Sequence, residues 1–223
     1  MRRPLRGSGC DHESGSALAP CALGFLEMAG RMPGPGSVER RVDVQRTAEP
    51  AVDDRPLAGW FSPASAPRGL VLLAPGGGQD HTSPGVVARA RSLTDRGYDV
   101  AVVRSLDQVP AVLGAHLGPV GFWGLSHGAR VGLPLLAAEP RIAAAVLGLA
   151  DGPMASAPLV SAPVLFYVQS DDDLVQPDAC RALFEALGSA DKTLVENPGG
   201  HLDLPRTTVE ESASWLDRRL SAQ

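Results

Sequence analysis

Ser126 stands in the segment GLSHG (residues 124–128), a serine with a glycine two positions to either side. A hydroxyl is a poor nucleophile until a base takes its proton, so the segment gains chemical meaning only with a histidine and a carboxylate to complete it. His201, in NPGGHLDLP, lies on a glycine-rich stretch with freedom to reach across a sheet's edge. The segment VQSDDDLVQP supplies three consecutive carboxylates, Asp171, Asp172 and Asp173, any of which could orient an imidazole ring. A fourth segment, LLAPGGGQDH, carries Gly76, Gly77 and Gly78, which let backbone N–H groups approach a ligand closely. It lacks the lysine of a phosphate-binding G-x-x-x-x-G-K-[ST] loop and the spaced glycines of a dinucleotide loop. Oxyanion donation suits it better: the N–H of Gly77, or of its neighbour Gly78, would pair with the N–H of His127 around a carbonyl oxygen.

These groups can act together only if a fold brings four loops to one end of a sheet. The sequence predicts strands at LVLLAP (70–75), YDVAVVRS (98–105), PVGFWGL (119–125), IAAAVLGLA (142–150), PVLFYVQS (163–170) and KTLVENP (192–198). Between and after them, helical spacing predicts helices at 85–97, 126–138, 177–189 and 207–220, with a short Pro-interrupted helix within 106–118. Two further strands, VERRVDVQR (38–46) and LAGWFSP (57–63), precede this series. Such alternation means βαβ units in a mostly parallel sheet with helices on both faces, and functional residues then gather where loops leave the carboxyl ends of strands. Each of the four segments directly follows a predicted strand. Gly124 and Gly128 would permit a tight strand-to-helix turn that lifts Ser126 into an exposed, strained position at a helix N-terminus, where developing negative charge is favoured. Pro134 predicts a kink in that helix, tolerated by burial, because a missing N–H and a ring clash cost about 3 kcal/mol in an ordinary helix interior.

Composition narrows the function classes. The chain has 223 residues, 44% of them hydrophobic, enough for one well-buried α/β core. Its formal charge of -5 offers no positive field for nucleic acid or anionic lipid, so a small-molecule substrate is expected, with no nucleic-acid or membrane partner. Apolar runs are of strand length and too short to span a bilayer. Cys10, Cys21 and Cys180 are scattered and odd in number, which predicts no disulfide framework and a cytoplasmic protein. DHE (11–13) and QDH (79–81) lack metal-ligand spacing, so neither a metal nor another cofactor is expected. Asp11, Glu13 and Glu27 interrupt what would otherwise resemble a secretion signal. Residues 1–36 accordingly read as a disordered N-terminal extension, or as an over-extended start with Met28 or Met32 as first residue, and 37–223 as one domain.

Together the four segments, within residues 70–205, resemble the α/β-hydrolase superfamily, and most closely its lidless, dienelactone-hydrolase-like and small carboxylesterase-like members. The resemblance implies a nucleophile elbow at Ser126, a Ser126–His201–Asp172 triad and an oxyanion hole from Gly77 and His127. Within such families the acid is commonly followed by a short apolar stretch and a proline turn, which selects Asp172 over Asp171; Asp151, ending the preceding strand, is the alternative acid. The implied reaction is hydrolysis of a carboxylic ester, thioester or lactone through an acyl-enzyme. A catalytically inactive binding scaffold of the same fold is the alternative, because the segment 105–118 is shorter than relatives usually carry. Residues 151–162 leave no room for a cap domain, so the site should be open to water. Trp60, Phe122, Trp123 and Met154 are expected to set pocket volume, with His81 lining it. An edge strand at 38–46 leaves a homo-oligomer open.

Overall fold

The structure, a computed structural model, describes residues 59–114, 116–152 and 154–222, all within one compact unit. The predicted N-terminal extension (1–36) and the strand at 38–46 lie outside the described residues.

Seven predicted strands and four predicted helices form where the hydrophobic pattern puts them. Strands β1 (Gly59–Phe61), β2 (Gly69–Ala74), β3 (Tyr98–Val102), β4 (Val120–Gly124), β5 (Ile142–Gly148), β6 (Val164–Gln169) and β7 (Lys192–Asn197) build one sheet in the order β1-β3-β2-β4-β5-β6-β7. Strand β1 runs antiparallel to β3, and every other pairing is parallel. The reversal of order between β2, β3 and β4 makes β2 and β4 neighbours, with Ala74 opposite Gly124. Those two residues end the strands that feed the glycine loop and the Ser126 turn.

The helices are α1 (Pro84–Thr94), α2 (Val109–Gly114), α3 (His127–Ala138), α4 (Pro177–Ala186) and α5 (Thr207–Leu220). Alternate side chains of the strands feed two separate cores, as the period of two in a strand requires. Leu70, Leu72 and Phe122 join α2, α3 and α4 on one face, whereas Val71, Leu73 and Trp123 join α1 and α5 on the other. Strand β2 is therefore buried on both faces, which is why it reads as an unbroken apolar run. The connection from β5 to β6 holds one short 3₁₀ turn, Ala157–Leu159, and no cap domain is present among the described residues.

One local reading is corrected. The segment 106–118 is a 3₁₀ turn, Leu106–Gln108, followed by α2, and Pro110 sits in the first turn of α2. A proline there gives up an N–H that has no intrahelical partner anyway, so it starts the helix instead of interrupting it. Helix α3 continues through the half-buried Pro134 to Ala138.

Leu72, fully buried at the centre of β2, tests the role of this strand. Leu72→Ala should lower unfolding stability by about 2–5 kcal/mol, measured by urea denaturation.

Candidate active site

Ser126 occupies the turn between β4 and α3 with φ 56° and ψ -122°, a backbone state that costs a non-glycine residue about 1–3 kcal/mol. Packing around it holds the turn. A Cβ on Gly124 would stand 2.5 Å from the Gly128 carbonyl oxygen, and a Cβ on Gly128 would collide with the carbonyl oxygen of Ala74. Both clashes involve backbone, so neither glycine can be replaced without moving the turn. The Ser126 N–H donates to the Gly148 carbonyl at 2.9 Å, which fastens the turn to the end of β5.

The loop after β7 brings His201 over this serine. Its Nε2 lies 2.9 Å from Ser126 Oγ, and its Nδ1 lies 2.7 Å from Asp172 Oδ2. An ionised carboxylate can only accept, so Nδ1 carries the proton and donates to Asp172, leaving the Nε2 lone pair for the serine O–H. Asp172 is buried, and its other oxygen, Oδ1, accepts the N–H groups of Leu174 and Val175, both at 2.9 Å. Burial pushes its pKa up, but the Val175 N–H, His201 and the Leu174 N–H together outweigh that and hold the carboxyl below its usual value.

The neighbouring carboxylates are otherwise engaged. Asp151 pairs with Arg130 through Oδ1. Asp171 Oδ2 accepts the Gly199 N–H at 2.9 Å, and Asp203 Oδ2 accepts the Gly200 N–H at 2.9 Å. These two side chains fasten the loop that carries His201. Sequence reading missed this job for Asp203, although an acidic residue two positions past a Gly-Gly-His run is the available signal for a loop tether.

Gly77 lies beside His127: a Cβ on the glycine would stand 4.0 Å from His127 Cβ. The neighbouring Gly76 N–H is already taken by Gln79 Oε1 at 3.2 Å, while Gly78 adopts φ 73°. A cavity of about 300 Å³ opens here, lined by Gly76, Gly77, Val103, Arg104, His127 and Val131. A larger hollow of about 730 Å³ lies at the amino ends of β4, β5 and β6, and none of the four loops lines it.

The expected pocket walls need correction. Phe122 and Trp123 are core residues, 0% and 1% exposed, because mid-strand side chains point into the helix layers and not toward the loops. Trp60 is half-buried and its indole N–H donates to Ser62 Oγ, while Met154 is exposed. His81 packs over Gly59 of β1 and does not line the cavity. His116 lies beyond the end of α2 and contributes to the opposite hollow. Cys180 is a buried free thiol, and burial, reinforced by nearby Asp172, raises its pKa to about 11. No group of His, Cys, Asp and Glu suited to a metal ion occurs among the described residues. None of the described helices is long and apolar enough to cross a membrane.

No family model and no curated protein matches the chain. Solved structures do. A PEG-bound cold-adapted esterase from an Arctic intertidal metagenomic library matches with a TM-score of 0.69 at 28% identity, over 72% of this chain and 87% of that one. Dienelactone hydrolase from Anabaena variabilis matches with a TM-score of 0.58 at 23% identity, over 73% of this chain and 89% of its own. Est1E from Butyrivibrio proteoclasticus shares the fold with a TM-score of 0.64 at 14% identity, over 78% and 98%.

Two outcomes follow from this geometry. Gly128→Ala should destabilise the fold by more than about 2 kcal/mol, since the clash is with backbone that cannot swing away; thermal unfolding measures it. Asp172, with a depressed native pKa, adds stability that is present above the ordinary carboxylate value of about 3.9 and is lost as pH falls below it. The stability gap between wild type and Asp172→Asn should therefore shrink on acidification through that window. Denaturation across a pH series reads it, and a gap that widens toward low pH overturns the assignment.

Proposed function

From the premise that the chain is an α/β-hydrolase, similar to esterases and to the dienelactone hydrolase whose fold it shares, we propose that it cleaves a small carboxylic ester, thioester or lactone through an acyl-enzyme on Ser126. The observation that carries this reading is the continuous run of hydrogen bonds from Ser126 Oγ through both nitrogens of His201 to Asp172. An inactive scaffold would have no need to hold a strained serine within 2.9 Å of a base whose other nitrogen is fixed by a buried carboxylate.

In this reading His201 Nε2 takes the Ser126 proton as Oγ attacks the carbonyl carbon. Asp172 keeps the ring in the productive tautomer and stabilises the imidazolium that forms. Negative charge gathers on the carbonyl oxygen, which the N–H groups of Gly77 and His127 receive, aided by the positive end of α3. His201 then gives its proton to the leaving group, and collapse of the tetrahedral species leaves Ser126 acylated. A water activated by the same histidine returns the enzyme to its starting state. No cofactor enters any step. The lack of a cap among the described residues supports a site that admits water freely, and residues 37–223 form the hydrolase domain in this proposal.

A fluorophosphonate probe tests the reading whatever the substrate, since it reports an activated serine directly. Labelling should fall on Ser126 alone and vanish in Ser126→Ala, both read by mass spectrometry. Folded wild-type protein that takes no label would favour a binding scaffold. Esterase assays of two carboxamide variants should then separate the acids: Asp172→Asn loses on the order of 10⁴-fold in kcat, the scale seen when the orienting acid of such a triad is neutralised, whereas Asp151→Asn retains activity. The opposite pattern would move the acid to β5.

A further inference from the structure

Arg89 is a buried charge that the proposed chemistry does not use. It projects from α1, is 7% exposed, and has no carboxylate within ion-pair distance among the described residues. Burying a guanidinium without an anion is unfavourable unless its donors are satisfied in a fixed geometry. Its Nε donates to the Gly85 carbonyl at 3.0 Å, and its Nη2 donates to Gln79 Oε1 at 3.3 Å. The guanidinium also lies over the Trp123 ring, 5.9 Å from the centroid, one residue before Gly124. Burial lowers its pKa to about 10, so it stays protonated at neutral pH.

Gln79 is the other half of the arrangement. Its Oε1 accepts the Gly76 N–H at 3.2 Å, and its own backbone N–H donates to the Gly76 carbonyl at 3.1 Å. Both backbone polar groups of Gly76 are thus tied to one residue. A guanidinium can only donate, so it dictates which end of the Gln79 amide faces inward: the oxygen must, and the oxygen is what the Gly76 N–H needs. The chain of contacts runs from α1 through Gln79 to the residue that immediately precedes Gly77.

We propose that Arg89 is a positioning residue for the oxyanion loop, acting through Gln79 to fix the Gly76–Gly77 backbone against the strand that leads to Ser126. The inference rests on the serine-hydrolase reading for its kinetic consequence and on the loop geometry alone for its structural one. Three consecutive glycines have wide backbone freedom, and a donor that wanders by about 1 Å loses on the order of 10²-fold in rate. An external clamp is the physical remedy.

The test uses the full chain with Arg89→Met, Arg89→Lys, Gln79→Ala and the Arg89→Met/Gln79→Ala double variant. On a p-nitrophenyl ester, Arg89→Met and Gln79→Ala should each lower kcat about 10- to 100-fold with KM held within about threefold, since the lost contact matters only in the transition state. The double variant should be no worse than the poorer single one, because both cut the same chain of contacts. Arg89→Lys, which keeps a donor, should recover part of the loss. Hydrogen exchange of the Gly76–Gln79 amides should quicken in both single variants. Unchanged kcat, additive losses, or a fall that tracks melting temperature with KM rising equally would overturn the proposal, as would unaltered exchange in this loop. If wild type takes no fluorophosphonate label, the serine reading fails, and amide exchange still decides whether Arg89 holds the loop.

Discussion

The close approach of Gly128 to the Ala74 carbonyl is the contact on which the rest of the candidate site depends. Ala74 ends β2 and leads into the glycine loop; Gly128 lies in the first turn of α3, two residues after Ser126. With no Cβ between them, the first turn of α3 lies against the end of β2, which brings His127 beside Gly77. One missing side chain therefore sets the serine turn and the loop of the proposed oxyanion hole at a fixed distance. The strain at Ser126 is held by the same contact and by the N–H donated to Gly148. It is small beside the two buried cores that clamp β2 and β4 from either side.

Electrostatics divides the labour among carboxylates that look alike in sequence. Asp172 alone turns inward, and it can stay charged there because three donors meet it: two backbone N–H groups and His201. Asp171, one residue away, faces the Gly199 N–H instead, and Asp203 takes Gly200. Asp151 is held by Arg130. Asp172 differs in how its two oxygens are divided, Oδ1 taking both backbone N–H groups and Oδ2 facing His201, whereas none of its neighbours has an oxygen on the imidazole. The two loop tethers complement it, since they limit how far His201 can swing on its glycine-rich segment.

Much of this was legible in the sequence, for identifiable reasons. The unbroken apolar run of β2 and the helical spacing of α5 are strong periodic signals, and α5 spans the predicted residues 207–220. That Ser126, Asp172 and His201 would meet could be read because each follows a strand, and strand ends are where loops converge. What could not be read depends on three-dimensional neighbours. Phe122 and Trp123 sit next to the serine turn in sequence, yet their strand positions commit them to the two cores. Pro110 reads in sequence as interrupting a helix because the boundary at Val109, on which its effect depends, leaves only a weak mark there. Arg89 and Gln79 are ten residues apart with no motif linking them, and only the return of α1 beneath the glycine loop makes them partners.

Selectivity, in the proposed reading, falls to side chains that follow β3 and to side chains of α3. With Phe122 and Trp123 withdrawn into the cores and no cap among the described residues, the walls near the glycine loop are Val103, Arg104, His127 and Val131. A cavity of about 300 Å³ is at the small end of the range that holds a ligand. Such a space accepts a compact group and leaves a longer one in solvent, where contact contributes little binding free energy. Discrimination between esters would then rest on the size of the enclosed group, and tolerance toward the exposed one follows from the same open mouth.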